Sequence, residues 1–520
     1  MKNHSPILFL IVCALTSSLF AGQQPNIIFI LSDDMSYRDL SCYGQERYQT
    51  PNLDRLAKDG IRFSQSYSAA AECAPARCSL MTGLHTGRSS IRTNSSARGQ
   101  DNLRDEDITI AEVLKELGYN TGFTGKWGIG LPGTEGVPYR QGFDFAFGFY
   151  DQTRAHTYIP HYLRENDQII EYPENQGFDM PSRYHAIDPD FKNTYDEKGT
   201  LVLPELKDPK TYTFSENEIQ KAAFRFIEQN DPSQTEKPFF LYYATQLPHG
   251  PMIIDELDEM TEPAEVLQWS REWAAMVIKL DDFVGELVEK LKDMGQYENT
   301  VIFFASDNGY SMPGYIADRG NGPNWPDDPW LKNKGPFTGG KFSVLEGGCR
   351  VPFFVSWPSQ FKAAAVSEPV WLPDFFPTAV ELAKGNVKSY DTDGKSLIPL
   401  LKGKNDQFES HAYLYFFKNR EQALRMGPWK AYRKNWESPI QLYLVEEDTY
   451  TQRNLASAYP EVVEKIKEIL DSEHVPHEWY WNPWETAEDY AAKKQKAKDT
   501  GNKLPAFRPN GMERLPWEKD

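Results

Sequence analysis

The chain has 520 residues, enough to bury a large core and, by ordinary domain sizes, to form one big domain with a smaller one beside it. Hydrophobic residues make up 40% and charged residues 25%, the composition of a globular protein. The formal net charge of −19 argues against nucleic acid or an acidic membrane surface as a partner, because a polyanion would be repelled at long range. An anionic ligand would need local help from a metal and converging Lys or Arg side chains, which can reverse the potential within about one Debye length, ~8 Å at physiological salt. Aromatic residues reach 13%, with 13 Trp, so some rings are candidates for meeting sugars or partners, although packing in the core accounts for most.

In chain order, residues 1–22 read as an export signal: Lys2 gives the positive start, Ile7 to Phe20 a short apolar run, and Leu19-Phe20-Ala21 the approach to a cleavage point. This predicts a periplasmic or secreted product. Cys13 follows Leu10-Ile11-Val12 and lacks the small residue expected before a lipidated Cys, so anchoring there is disfavoured. No later stretch reaches the ~18–20 apolar residues of a membrane span, so no transmembrane segment is expected. The remaining cysteines, Cys42, Cys73, Cys78 and Cys349, fit no zinc pattern of repeated Cys-x-x-Cys pairs, and disulfides among them are not readable from spacing.

Asn26 to Leu31 is a continuous apolar run, suited to a strand buried on both faces, and it stops at Ser32-Asp33-Asp34. Thr109-Ile-Ala-Glu112 is a capping box that opens a helix through Leu117, stopped by Gly118. Phe239 to Ala244 is a further strand, followed by Pro248-His249-Gly250-Pro251. Glu272 to Met294 keeps Met276, Leu280, Phe283, Leu287 and Leu291 at helical spacing and ends at Gly295. Thr300 to Ala305 is another apolar run, ending at Ser306-Asp307-Asn308-Gly309. Strands that deliver carboxylates at their C-terminal ends place a site where open α/β sheets hold theirs. The alternation predicts an α/β fold with a large, mostly parallel or mixed sheet sandwiched by helices over 23–385. A smaller α+β region follows over 386–480, with an amphipathic segment near Pro460 to Leu470, and then a tail over 481–520 that includes a surface helix around Ala491. No internal repeats are visible.

The most specific feature is Cys73-Ala-Pro-Ala-Arg77 followed by Leu80-Met81-Thr82-Gly83. A Cys beside a Pro is by itself only a buried thiol, but Cys-x-Pro-x-Arg with a downstream Thr-Gly resembles the maturation motif of the formylglycine-dependent sulfatases, members of the alkaline phosphatase superfamily. Pro25-Asn-Ile-Ile, Asp33-Asp34, Gly125-Lys-Trp127, Pro248-His249, Ser306-Asp-Asn-Gly309, Gly340-Lys341, Glu346-Gly-Gly348 with Arg350-Val-Pro352, and Gly394-Lys-Ser-Leu397 resemble blocks of that family in their expected order. The resemblance implies a catalytic sulfatase domain over 23–385 and an oxidation of Cys73 to formylglycine (3-oxoalanine) by a formylglycine-generating enzyme.

It also implies a Ca2+ site made by Asp33, Asp34, Asp307, Asn308 and residue 73. Four hard oxygen-bearing side chains do suit calcium, less well magnesium, and not zinc. In the implied mechanism a hydroxyl of the hydrated aldehyde attacks sulfur, the alcohol leaves, and sulfate is expelled as the aldehyde returns. Arg77 resembles the residue that holds the formylglycine oxygen, Lys126 and Lys341 those that bind the sulfate oxygens, and His249 the one that protonates the leaving alcohol.

Two positions depart from the pattern. Glu72 stands where an apolar or hydroxyl residue is usual. Gly128 stands where Gly-Lys-Trp-His-Leu-Gly carries the His favoured as base for sulfate elimination. His156, in Gln152-Thr-Arg-Ala-His-Thr-Tyr158, is the candidate replacement, with His161 a poorer one. The expected substrate is a sulfated carbohydrate. The alternatives are a phosphonate or phosphodiester hydrolase of the same superfamily and a non-catalytic sulfoglycan-binding protein. Arg154, Trp325, Trp330 and His477-Glu-Trp-Tyr-Trp481 are weaker candidates for sugar-binding walls, with packing between domains as the plainer reading, and His85 and Arg88 are expected to be structural.

Overall fold

The computed structural model describes residues 24–175, 193–202, 212–261, 265–311, 327–447 and 451–501. The expected export signal, Cys13, Trp325 and the last part of the tail lie outside them.

A ten-stranded sheet organises the chain. Its strands are β1 (Asn26–Ser32), β2 (Ile61–Phe63), β3 (Asn120–Lys126), β4 (Phe145–Phe149), β5 (Tyr162–Glu165), β6 (Gln168–Glu171), β7 (Phe239–Ala244), β8 (Thr300–Ser306), β9 (Phe353–Ser356) and β10 (Ala364–Val366). Across the sheet they run β10-β2-β9-β8-β1-β7-β3-β4-β5-β6. The five central strands, β8-β1-β7-β3-β4, are parallel, whereas β9 and β5 pair antiparallel with their inner neighbours, so the sheet is mixed as expected.

The central strands are apolar on both faces because both faces are covered. Along β1, Ile27, Phe29 and Leu31 join one core with α2 (Cys73–Thr82), α3 (Ile110–Glu116) and α6 (Phe375–Leu382). Ile28 and Ile30 face the other core, with α1 (Pro51–Asp59), α4 (Ser215–Gln229) and α5 (Gln268–Asp293). The three strands read from sequence are present, with β1 and β8 each one residue longer, through Ser32 and Ser306. The capping box at Thr109 and Glu112 is formed in both directions. Helix α5 begins a turn before Glu272, at Gln268, and the Ser270 hydroxyl in that first turn donates to Asp328 at 2.7 Å.

The C-terminal region forms a separate antiparallel sheet of β11 (Leu414–Lys418), β12 (Glu421–Met426), β13 (Trp429–Arg433) and β14 (Gln441–Leu444). One face takes α7 (Pro460–Ser472) through Ile466 and Leu470. The other packs Leu414, Phe416 and Ala423 on Tyr67, Val344 and Trp371 of the main body. A last helix, α8 (Ala487–Asp499), starts at a capping box of Thr486 and Asp489 and lays Tyr490 under Trp481, ring centroids 4.3 Å apart. Among the described residues no helix is long and apolar enough to cross a membrane, and Cys42, Cys73, Cys78 and Cys349 are free thiols.

Candidate active site

Register brings the candidate residues together. Ser32 pairs with Ser306 at the ends of β1 and β8, and the Asp307 amide donates to the Ser32 carbonyl at 3.1 Å, so Asp33 and Asp307 leave the sheet side by side. The backbone then turns at Asp34, whose φ of +65° is rare for a residue with a side chain and marks a locally constrained site. Asn308 Nδ2 donates to Asp34 Oδ1 at 2.7 Å, and the Asp34 amide donates to Asp307 Oδ1 at 3.2 Å. Lys126 is the last residue of β3, and His249 follows β7. Cys73 opens α2, all ten residues of which are buried, and Arg77 lies one turn further on the same face.

These side chains form one closed network. Cys73 Sγ sits 3.5 Å from Asp33 Oδ1. Arg77 donates to Asp307 Oδ2 from Nε at 3.1 Å and Nη2 at 2.9 Å, reaches Asp33 Oδ2 at 3.6 Å, and donates through Nη1 to the Lys126 carbonyl. Lys126 Nζ donates to Asp33 Oδ2 at 2.6 Å, and Lys341 Nζ to Asp34 Oδ2 at 2.8 Å. Lys341 Nζ also donates to His249 Nε2 at 2.9 Å, while His249 Nδ1 faces the Gly250 carbonyl and therefore carries the ring proton.

Burial acts to raise both aspartates, but neighbouring cations outweigh it: Lys126, with Arg77 and Lys341, holds Asp33 well below the usual carboxylate range, and Lys341 holds Asp34 below it. Asp307 goes the other way, pushed up to about 7 by burial and by the charge of Asp33, even against Arg77. Burial together with Lys341 pushes His249 down to about 4. The Cys73 thiol is pushed up to about 12 by burial despite both lysines, so at neutral pH it is not a thiolate nucleophile.

A cation has suitable ligands here. Asp33, Asp34, Cys73 and His249 offer ligand atoms within 4.8 Å of one another. Asn308 Oδ1 is buried with no hydrogen-bond partner, the condition of an oxygen awaiting a ligand. With Asp307 alongside, the hard-oxygen set read from sequence converges, which fits calcium or magnesium better than a thiophilic ion.

The stretch after β4 folds over this network. His156 ends a 3-10 turn at Arg154–His156, stacks on His249 with ring centroids 3.9 Å apart, and places Nε2 3.4 Å from Lys126 Nζ. Its burial, together with His249, Lys126 and Lys341, holds it well below the usual imidazole range. His161 instead precedes β5, its carbonyl accepting from Tyr172. Gln152, not singled out in sequence, lies against Gly128; the signal that could have found it is the missing side chain at 128, which something nearby has to replace.

The weaker candidates pack. Arg154 lies over the Tyr162 ring at 3.5 Å and donates to its carbonyl, Trp330 packs on the main core, and His477 accepts from Arg104 at 3.1 Å. His85 and Arg88 pair with Glu473, Asp391 and Asp393. Glu72, the odd residue before Cys73, accepts from the Asn94 amide at 2.8 Å and faces Lys418 of β11 at 3.7 Å.

Fold and site together define the class: an α/β enzyme with a buried, charge-lined centre at the carboxyl ends of parallel strands, suited to an anionic ester. Residues 25–385 match the Sulfatase family. The chain is 31% identical over 427 residues to N-acetylgalactosamine-6-sulfatase of Canis lupus familiaris, covering 80% of this chain and 73% of that protein. It is 26% identical over 496 residues to N-acetylgalactosamine-6-O-sulfatase of Bacteroides thetaiotaomicron, covering 87% and 93%. Among solved structures, Ps i-CgsB in complex with k-i-k-neocarrahexaose superposes with a TM-score of 0.69 at 28% identity, over 93% of this chain and all of that one. The chain belongs to the sulfatase family, and with that membership it is an enzyme that hydrolyses sulfate esters.

Proposed function

We propose that the chain removes sulfate from a carbohydrate, using formylglycine made from Cys73 and a calcium ion held by Asp33, Asp34, Asp307, Asn308 and the modified residue 73. The observation that carries this reading is the position of Cys73: at a helix N-terminus, 3.5 Å from an aspartate of the oxygen cluster, and within the field of both lysines. Similarity to two N-acetylgalactosamine sulfatases and to a structure holding a neocarrahexaose supports a sulfated sugar as substrate. When present, calcium supplies Lewis-acid charge and formylglycine, once hydrated, a hydroxyl nucleophile.

The chain's own residues do the rest. Asp33, Asp34 and Asp307 are formally balanced by Arg77, Lys126 and Lys341, so a bound divalent cation leaves the pocket net positive inside a chain of net charge −19. That local field holds the sulfate. Lys126 and Lys341 are placed to bind its oxygens, and Arg77 fixes Asp307 and Asp33 so that they stay aimed at the cation. The pair Lys341–His249 faces the leaving oxygen: Lys341 donates to His249 Nε2, and a proton held between these two groups can pass to the departing alcohol. His156, on the Lys126 side, is the base for the return half of the reaction. The sequence of residues 1–22 supports export to the periplasm or beyond, and maturation needs a formylglycine-generating enzyme.

Co-expression with such an enzyme, peptide mass analysis, and sulfate release from a panel of sulfated saccharides with and without a chelator test the reading. The expected result is loss of about 18 Da at the Cys73 peptide and release that stops on chelation. A modified protein that releases sulfate from no ester but cleaves a phosphate diester or phosphonate would move the assignment to that activity. A modified protein that cleaves nothing yet binds sulfated sugars would make it a binding protein.

A further inference from the structure

Gly128 stands where the family pattern has a histidine, and the room that side chain would need is already taken. A Cβ built at Gly128 would lie 2.4 Å from Gln152 Oε1 and 3.8 Å from Arg77 Cδ. The Gln152 carboxamide therefore lies against bare backbone, and the stem of Arg77, which shares a helix face with Cys73, borders the same point. The segment is anchored: the Gln152 amide donates to Gln100 Oε1 at 3.1 Å, and the Gly128 amide to the Tyr150 carbonyl at 3.2 Å.

The carboxamide itself is not anchored. Gln152 is only 5% exposed, yet Oε1 and Nε2 are both buried without a hydrogen-bond partner. Leaving a donor and an acceptor of one buried amide unpaired is unfavourable, and native proteins retain such groups where a ligand completes them.

We propose that Gln152 is a substrate-binding residue of the sulfate pocket, its unpaired Nε2 donating to a sulfate oxygen. This rests on the reading of the pocket as a sulfate-ester site. A carboxamide neither gains nor loses a proton near neutral pH, so Gln152 holds the anion and leaves proton movement to the histidines. Gly128 has a φ of +74°, a conformation that favours glycine by itself, and the absence of a side chain there leaves the Gln152 carboxamide against the backbone.

The test measures the affinity of the calcium-loaded, matured protein for inorganic sulfate by calorimetry, and turnover of 4-nitrophenyl sulfate, for wild type, Q152A and Q152E. Loss of one hydrogen bond to a charged group predicts roughly 10–100-fold weaker sulfate binding in Q152A. Q152E should bind more weakly still. Folded Q152A and Q152E with wild-type sulfate affinity would overturn the inference while leaving the sulfatase reading intact. Wild type that binds sulfate but turns over no sulfate ester defeats the functional reading alone, since the affinity comparison still decides Gln152. Wild type that binds no sulfate defeats both.

Discussion

The pocket has two halves of similar chemistry and different construction. In one, Asp34 takes the ammonium of Lys341, which in turn reaches His249 at 2.9 Å. In the other, Asp33 takes Lys126, which reaches His156 at 3.4 Å. The two imidazoles stack across the middle, 3.9 Å apart. The His249 half is tied down, its Nδ1 donating to the Gly250 carbonyl. The His156 half rests on a short 3-10 turn that follows Gln152, whose side-chain carboxamide lacks partners. A half closed by its own hydrogen bonds suits a fixed proton exchange with the leaving group, whereas a half with open polar groups suits binding an anion that arrives and departs.

Both halves depend on residue 73, so the largest effect is expected from Cys73→Ala: sulfate release should fall by at least ~10⁴-fold with thermal stability retained. Residual release near wild type would remove the nucleophile that both halves are proposed to serve. Next, Lys126→Ala and Lys341→Ala should each lower kcat/KM by about 10²–10³-fold, as for lost transition-state donors. Equal sensitivity to leaving-group pKa in the two would erase the proposed division, because only Lys341 faces the departing oxygen.

The histidines then separate the halves in time. His249→Ala should cost about 10²–10⁴-fold on a sugar sulfate and far less on 4-nitrophenyl sulfate, whose phenolate leaves without a proton. His156→Ala should instead give, with the same aryl sulfate, a rapid release of one nitrophenol per enzyme and then a slow phase. Absence of that burst would take the base role away from His156. The smallest effect lies outside both halves: Thr109→Ala breaks the capping box of α3 and should cost ~1 kcal/mol of stability with no change in kcat, readable from thermal melts beside turnover.

The unequal construction also explains what the sequence made legible. Asp33, Asp34, Asp307 and Asn308 were readable because continuous apolar strands deliver them, and a buried parallel strand leaves a plain signature in Asn26–Leu31 and Thr300–Ala305. Cys73, Arg77, Lys126, His249 and Lys341 stood in short fixed-spacing blocks. The outer strands β4, β5 and β6 were not read: Phe145-Ala-Phe-Gly-Phe149 holds a glycine mid-run, and β5 and β6 form a half-exposed hairpin with weak alternation. His156 was read as a candidate only because Gly128 is unusual, and Gln152 was passed over, since which side chain fills a gap depends on a fold-back that no periodicity encodes. The wall candidates Trp481 and His477 fell to packing partners, Tyr490 and Arg104, that lie in distant segments.

Helix α2 carries a consequence for biogenesis. Every residue from Cys73 to Thr82 is buried, and Cys73 itself is 0% exposed. An enzyme that modifies a side chain must grip the flanking backbone, and here that backbone is sealed beneath the sheet once the chain has folded. If Cys73 is converted to formylglycine as proposed, the conversion must precede folding, before this helix is covered. On that reading a molecule that folds first keeps its thiol, and the modified fraction of a preparation records a race between modification and folding.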